Sequence, residues 1–365
     1  MTPPATLFRY IALRAAYGVG GLLIVLALLI LLIDFLENMR YAEKFEHVGL
    51  GFAVQLTLLR APSILEMLAP FVFLFGSIWM FHQLNKRSEL SVMRAAGLSV
   101  WRLIGPAAVL AAIAGVVIIT IIDPVSSQMR AYAETLKAET RGASSDLVKV
   151  FKDGIWLRQK TDDASIVINA TTHDRAAGAL MAVTVWRFTA NHHFVERLDA
   201  SRAVLSGETL ELHDVLITAA GDAIQRQAPI YALQTSLTSE DLNERIQSPE
   251  TVSLWRLPRF IRLAEAAGLP TTRYEIRFHD LLSTPLKLIA MILIAAAFSM
   301  RPVRSGGQLQ LVVLSIGAGF LLYVLSAVST ALGESEIAPV ALAAWAPGAA
   351  ASLAAITALL RLEDG

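Results

Sequence analysis

Leu103-Ile-Gly-Pro-Ala-Ala-Val-Leu-Ala-Ala-Ile-Ala-Gly-Val-Val-Ile-Ile-Thr-Ile-Ile122, followed at once by Asp123-Pro124 and a long polar region, decides the fold of this chain. An uncharged apolar run of that length crosses a hydrocarbon core of about 30 Å as a helix. Ala15–Ile33 reads the same way upstream, as do Ser305–Gly333 and Ile337–Leu360 downstream. Two further spans are less clean: residues 61–81 carry Glu66 and residues 281–300 carry Lys287. Each borders a cleaner one. The order is three apolar spans, roughly 150 mostly polar residues, then three more spans. It predicts an α-helical membrane protein with six transmembrane helices and one domain inserted between helices 3 and 4.

Composition agrees. The chain is 55% hydrophobic and 17% charged with formal net charge zero, against about 25% charged residues in a soluble domain. No basic excess points to nucleic acid. Without cysteine there is no disulfide framework, thiolate metal site or cysteine nucleophile. Arg9 and Arg14 before a Leu-rich run suggest a signal peptide, but the uncharged run outlasts the roughly 7–15 residues of a signal core. No small-x-small cleavage site follows in Asp34-Phe-Leu-Glu-Asn-Met-Arg40, so this reads as an uncleaved first span.

Loop charges set the orientation. Arg9 and Arg14 precede span 1, Lys86, Arg87, Arg94 and Arg102 separate spans 2 and 3, Arg301 and Arg304 separate spans 4 and 5, and Arg361 follows span 6. The alternate loops are poorer in base: Gly333–Ile337 holds Glu334 and Glu336, and Asp34–Gly51 is mixed and net acidic. In a six-span count every basic segment falls on one side. Both termini are then cytoplasmic and the inserted domain is external. A marginal span lying on the surface would break this alternation.

Between Asp123-Pro124 and Gly268 the period changes. Ala131–Arg141 reads as a helical extension of span 3. Gly154–Arg158, Ser165–Asn169, Ala182–Phe188, Phe194–Leu205 and Thr209–Thr218 are short runs rich in β-branched and aromatic residues, several of them alternating apolar with polar. Asp162-Asp163, Asn191-His192-His193, Ser206-Gly207 and Ala220-Gly221-Asp222 are the turn signals between them. Such spacing predicts an antiparallel sandwich or open barrel. Ser253–Ala267, with Pro258 early and Gly268 as its stop, reads as an amphipathic helix at the membrane surface.

Enzymatic chemistry is not visible. The chain has no GxxxxGK[ST], no HExxH and no GxSxG. His192-His193 fits a solvated turn better than a metal site, and the sequon Asn169-Ala-Thr171 is of a kind that arises by chance. Two features stand out instead. One is the loop His82–Gly97, where Ser88 fits a helix N-cap and Leu90, Met93 and Ala96–Gly97 share a helical face. A short amphipathic helix in a cytoplasmic loop is either a surface connector or a docking element. The other is a set of ionisable residues at membrane depth, which by default suggest a functional surface.

Arg87-Ser-Glu-Leu-Ser-Val-Met-Arg-Ala-Ala-Gly97 resembles the segment between spans 2 and 3 of the YjgP/YjgQ permeases, the LptF and LptG subunits of the lipopolysaccharide exporter. Thr284-Pro-Leu286 in span 4 and Met300-Arg-Pro-Val-Arg-Ser305 after it are also similar, as is the order of spans around one β-rich domain. The likeness covers essentially the whole chain. Met300–Ser305, with the Tyr274 segment, is more similar to the LptG branch than to the LptF branch.

The resemblance implies a permease subunit of an ABC transporter that extracts lipopolysaccharide from a Gram-negative inner membrane, without enzymatic activity of its own. It implies an LptF-like partner subunit, a dimer of LptB-like ATPases that holds the ATP and magnesium, and LptC- and LptA-like periplasmic proteins. The helix after span 2, about residues 84–97, would dock in a groove of the ATPase. The matching positions are Arg87, Ser88, Glu89, Met93 and Gly97, with Glu89 as the charged contact and Ala95, Ala96 and Gly97 permitting close approach. The inserted domain resembles the family's periplasmic β-jellyroll, which hands lipid to the jellyrolls of LptC and LptA. The expected organisation is residues 1–123 for helices 1–3, 124–270 for the jellyroll-like domain and 271–365 for helices 4–6.

In the family, basic residues at the outer end of span 1 meet lipid A phosphates. Arg40 matches such a position and Lys44 lies one turn on, whereas Asp34 departs, some relatives carrying lysine there. Arg130 after span 3 is a further candidate. Each of these bases fits interfacial anchoring equally well. Asp280, Thr284 and Lys287 share one face of span 4, facing either the transport cavity or, with Lys287 snorkelling, the lipid. Spans 1 and 5 are the family's lateral gates, which assigns gate roles to Leu26, Leu29, Gly317 and Phe320, with Gly317 and Gly319 letting spans slide against the other subunit. Two rival readings remain. One is a mechanotransmission protein resembling MacB or FtsX, which the layout of three spans, domain and three spans disfavours. The other is an intramembrane enzyme built on Glu66, Asp280 and Lys287.

Overall fold

Six helices among the described residues are long and apolar enough to cross a membrane. The structure is a computed structural model describing residues 5–45, 49–140, 149–151, 154–160, 164–174, 179–189, 193–206, 209–220, 225–234, 248–267, 269–300 and 308–364. Span 1 is α1 (Ala5–Ala42) and span 2 is α2 (Leu50–Lys86); a short α3 (Glu89–Ala95) follows. Span 3 runs through α4 (Val100–Val117), a π-helical turn (Ile118–Ile122) and α5 (Asp123–Thr140). After the β-rich region come α6 (Leu257–Ala266) and spans 4 to 6: α7 (Thr272–Ser299), α8 (Gln308–Glu334) and α9 (Val340–Asp364).

The helices overrun the apolar windows that announced them. α1 continues past Ile33 to Ala42, and α7 starts at Thr272 instead of Leu281. Asp34, Asn38 and Arg277 in these overruns are held by partners on neighbouring helices, so helix continues where hydropathy alone would end it. Asp123-Pro124 likewise does not end span 3. Pro124 has no N–H and its ring crowds the carbonyl one turn earlier, but the π-turn directly before it opens the ladder locally. The chain therefore stays helical through the proline. α6 begins later than the expected Ser253, its first turn carrying Pro258; Gly268 lies outside the described residues.

The chain divides into two compact units, residues 1–129 with 276–365, and residues 130–275. In the helical unit span 4 is central: 61% of its apolar window is buried, against 6% in span 1 and 17% in span 5. Spans 1 and 2 cross on glycine. A Cβ at Gly18 would lie 2.7 Å from the Gly76 carbonyl oxygen, so any side chain there would force the helices apart.

The second unit holds one antiparallel sheet of seven described strands: β1 (Lys149–Phe151), β2 (Gly154–Lys160), β3 (Ala164–Asp174), β4 (Ala179–Thr189), β5 (Phe194–Ser206), β6 (Thr209–Ala219) and β7 (Arg226–Gln234). The five expected strands are β2 to β6; β1 and β7 are additional. They pair in sequence order, an up-and-down meander simpler than the two Greek keys of a full jelly roll.

That sheet is creased. Counting through the registers puts Thr171, Ala182, Ser201, Asp214 and Pro229 on one line across β3 to β7, and the ladder pairs step over all five. Pro229 has no N–H to give, and Ala182 and Asp214 adopt left-handed backbone, φ 49° and 54°. Buried residues flank the line three apart instead of two: Leu180 and Val183, Ala200 and Ala203, Leu212 and Val215. Each strand thus drops one residue from the alternation and keeps its apolar side chains on the same face on both sides. Tyr231 lies beyond the line and Arg187 and Glu196 before it, yet the Tyr231 hydroxyl accepts from Arg187 Nη1 at 3.1 Å and donates to Glu196 Oε1 at 3.2 Å. The sheet is folded on itself, burying its inner face.

Candidate functional site

α3 is bracketed by two left-handed residues, Ser88 at φ 57° and Gly97 at φ 81°. Ser88 stands at the N-cap position but makes no side-chain capping bond. A left-handed non-glycine residue costs on the order of 1–3 kcal/mol, so the sharp entry into α3 is held by contacts elsewhere. Leu90 is buried in the helical core and Met93 packs against it. Ser88, Ser91, Val92, Ala95 and Ala96 face outward along one helical stripe. The expected common face of Leu90, Met93 and Ala96–Gly97 therefore splits, because α3 ends at Ala95 and the chain turns at Gly97. Arg87 is 57% exposed.

Glu89 points inward, toward span 1. Its Oε2 accepts from the Tyr10 hydroxyl at 2.5 Å, and its Oε1 lies 3.7 Å from Arg14 Nη2 and 4.0 Å from Arg87 Nη1. Arg14 also donates to the Tyr10 hydroxyl at 2.8 Å and stacks over its ring. At the other end of α3, Arg94 Nη2 donates to the Leu362 carbonyl of span 6 at 3.3 Å.

At the opposite ends of the spans, Asp34 is buried between helices. Arg60 Nη1 sits 2.7 Å from Asp34 Oδ1, and Asn38 Nδ2 donates to Asp34 Oδ2 at 2.8 Å and to Thr57 Oγ1 at 3.0 Å. Asp34 therefore clasps span 1 to span 2 instead of facing a ligand. Arg40 and Lys44, further along, are exposed. Arg130 is engaged by Glu250. A second cluster joins spans 2, 3 and 4: Arg277 Nη2 lies 3.0 Å from the fully buried Asp123 Oδ1 and 3.7 Å from Glu66 Oε2.

Lys287 pairs with Asp280 across two helical turns, as their shared face requires. Its stem lies beside Gly348 of span 6, where a Cβ would meet Lys287 Cγ at 3.4 Å. Glu66 belongs to the Arg277 cluster and Asp280 and Lys287 to each other, so the three do not gather into one site. Among the described residues no group of His, Asp and Glu is arranged to hold a metal.

Of the gate positions, Leu29 and Phe320 are exposed, and Gly317 has nothing within 4 Å of where a Cβ would stand. Leu26 packs against the core. Gly319 faces inward on Leu74 of span 2, so it serves packing within the chain. A cavity of about 480 Å³ opens between spans 1, 2 and 5, lined almost wholly by apolar groups including Tyr17, Val25, Phe75, Trp79 and Val312.

Sequence reasoning named Arg14 only as a topology-setting base and passed over Tyr10, Arg60, Asn38 and Arg277. Arg60 and Arg277 lie just outside the apolar windows of spans 2 and 4, where hydropathy gives no signal of a partner. The i, i+4 spacing of Tyr10 with Arg14 and of Asp34 with Asn38 was the available signal.

A protein family described as lipopolysaccharide export system permease LptF/LptG matches residues 9–361. The chain is 27% identical over 345 residues to the lipopolysaccharide export system permease protein LptG of Haemophilus influenzae, covering 91% of each. It is 24% identical over 373 residues to the protein of the same name from Escherichia coli strain K12, covering 99% of each. With six apolar helices around one inserted antiparallel sheet and a match along nearly its whole length, the chain belongs to the LptF/LptG family of lipopolysaccharide export permeases.

Proposed function

We propose that this chain is the LptG-type permease subunit of a transporter that lifts lipopolysaccharide out of the inner membrane and passes it to a periplasmic β-sheet bridge. Its partners are an LptF-like subunit, an ATPase dimer that supplies the nucleotide site, and LptC- and LptA-like proteins. The termini are cytoplasmic and the creased sheet is periplasmic. The observation that carries the reading is α3: a short helix in a basic loop whose outward stripe of Ser88, Ser91, Val92, Ala95 and Ala96 is small enough to enter a groove. Spans 1 and 5, least buried in the chain, are the faces left for a second subunit. Arg40 and Lys44 are the exposed cations available to lipid phosphates at the outer end of span 1, with Asp34 already neutralised by Arg60. Lys287, paired with Asp280, is a candidate lipid-facing residue of the transport cavity wall.

The docking step is tested by co-purification of the ATPase with the permease pair. Val92→Arg on the outward stripe is expected to abolish it, and Val195→Arg on the exposed surface of β5 to leave it intact. An ATPase that still co-purifies with Val92→Arg would overturn the docking assignment.

A further inference from the structure

We propose that the arginine face of α6 is a binding surface for anionic phospholipid headgroups of the outer leaflet, separate from the lipopolysaccharide path. The inference rests on the reading that the β-rich unit is periplasmic, which decides the leaflet.

Val252–Ala264 carries three arginines and no acid. Arg256 stands at the N-cap of α6, Arg259 one turn on and Arg262 one turn further, and all three are exposed. The other side of the helix is turned inward, with Leu257 and Ala264 buried and Phe260 half-buried. Stability does not account for this arrangement. Cations one turn apart repel each other, and the first turn of a helix, where the backbone dipole is positive, disfavours them further. Glu250, the acid just upstream, is engaged by Arg130, and Glu275 downstream accepts from Thr271. What remains is a concentrated positive face whose guanidinium forks match phosphate oxygens.

Trp255 selects the kind of phosphate. Its side chain is 64% exposed beside Arg256, an arrangement that bulk water does not favour. At a bilayer interface the pairing is favourable, because tryptophan settles at headgroup level and arginine is drawn to an anionic leaflet surface. The height agrees. Phe260 packs on Tyr274 of α7 with ring centroids 4.6 Å apart, and Tyr274 precedes Leu281, the start of the apolar window of span 4, by seven residues. That length of helix is about 10 Å, and the headgroup layer beyond the hydrocarbon is about 5–8 Å deep. Long arginine side chains at that level span the difference. The face is also firmly placed: Val252, Leu254 and Leu257 are buried around the Trp255–Arg256 pair, and the Leu269 N–H donates to the Ala264 carbonyl at 2.9 Å. It shares no residue with Arg40, Lys44 or the gate positions.

The test places a photoreactive amino acid at exposed Ala266, one turn beyond Arg262, in the complete transporter. Nanodiscs hold equal amounts of phosphatidylcholine and phosphatidylglycerol, each labelled in turn, with labelled lipopolysaccharide in a third arm. Phosphatidylglycerol is expected to crosslink about fivefold more than phosphatidylcholine, the weight of one arginine at an anionic surface. Arg259→Gln/Arg262→Gln is expected to bring the two to parity, and Arg259→Lys/Arg262→Lys to keep the preference. The glutamine variant relieves like-charge repulsion, so it is expected to unfold at no lower temperature, which separates lost binding from misfolding. Raising ionic strength from about 0.1 M to about 1 M shortens the screening length from about 10 Å to about 3 Å and is expected to shrink the preference. Equal capture of both phospholipids by the unaltered protein overturns the proposal, as does an undiminished preference in the glutamine variant. Capture of lipopolysaccharide in place of phosphatidylglycerol also overturns it, since the face would then belong to the transport path. Orientation is read separately. The chain has no cysteine, so Val195→Cys on exposed β5 reports whether an impermeant maleimide reaches the β-rich unit in spheroplasts. No reaction there contradicts the periplasmic reading, whereas the lipid preference in nanodiscs, open on both sides, does not depend on it.

Discussion

Pro285 of span 4 seats directly on Gly115 of span 3: a Cβ added at Gly115 would lie 2.6 Å from Pro285 Cα. The proline gives up a helical hydrogen bond, and the flat contact it makes with glycine brings two backbones together in a part of the molecule where lipid offers no hydrophobic drive. Span 4, the most buried span, is fixed by this contact at its middle.

Gly115→Ala is accordingly expected to destabilise the helical unit by about 1–3 kcal/mol, the usual cost of overpacking. Gly20→Ala, where a Cβ meets nothing within 4 Å, is expected to be neutral. Thermal unfolding in detergent separates the two, and equal effects would remove the special status of the Gly115–Pro285 contact.

Asp34 and Arg60 form the second expectation. Asp34→Leu leaves the Arg60 guanidinium without its carboxylate, and Asn38 loses one of its two acceptors. Arg60 is about one-third exposed, so water screens part of the loss, and the expected cost is about 1–3 kcal/mol. Asp34→Leu/Arg60→Leu is expected to recover most of it, because a neutral apolar pair needs no compensation. A double variant worse than the single one would contradict the clasp.

The crease of the sheet is the third. Ala182 holds φ 49° where glycine would carry no penalty. Ala182→Gly is expected to stabilise the β-rich unit by about 1 kcal/mol, and Ala182→Val to destabilise it by more. Calorimetry on the whole protein reads both signs, and a destabilising Ala182→Gly would mean that the left-handed backbone is not strained there.

Tyr231 gives the pH dependence. Burial, then the neighbouring Glu196 carboxylate, push its hydroxyl above the ordinary value of 10.0, while Arg187 pulls the other way. Between about pH 10 and the raised folded value, the folded protein holds a proton that the unfolded chain has lost. The contribution is complete below about pH 10 and disappears as pH rises through the folded value. Tyr231→Phe is expected to flatten that alkaline limb and to cost about 1 kcal/mol at neutral pH through its lost hydrogen bonds. An unchanged limb would show that Tyr231 does not hold the folded sheet closed.

Much of this architecture was legible in the chain. Apolar runs show as spans because lipid requires long uncharged helices, and β-branched alternation shows as strands because one face is buried. β7 escaped notice because Pro229 sits inside it, and proline normally argues against a strand; here it lies on the edge strand, at the crease. The span ends escaped because hydropathy does not register a charge satisfied by another helix, as with Arg277 and Asp123. Glu89 shows the same limit: the family resemblance implied a partner contact, and only the fold brings Tyr10, seventy-nine positions away in sequence, to its oxygens. The residues named for lipid contact were legible as charges but not as free or engaged.

The central claim is that lipopolysaccharide passes along this subunit under the drive of a bound ATPase. Photocrosslinkers placed at Arg40 and at Phe320, in the assembled transporter supplied with labelled lipopolysaccharide, test it directly. The account predicts crosslinks at both positions that diminish when ATP is added and the lipid leaves. Absence of crosslinks at both positions, with the ATPase still bound and hydrolysing, would contradict it.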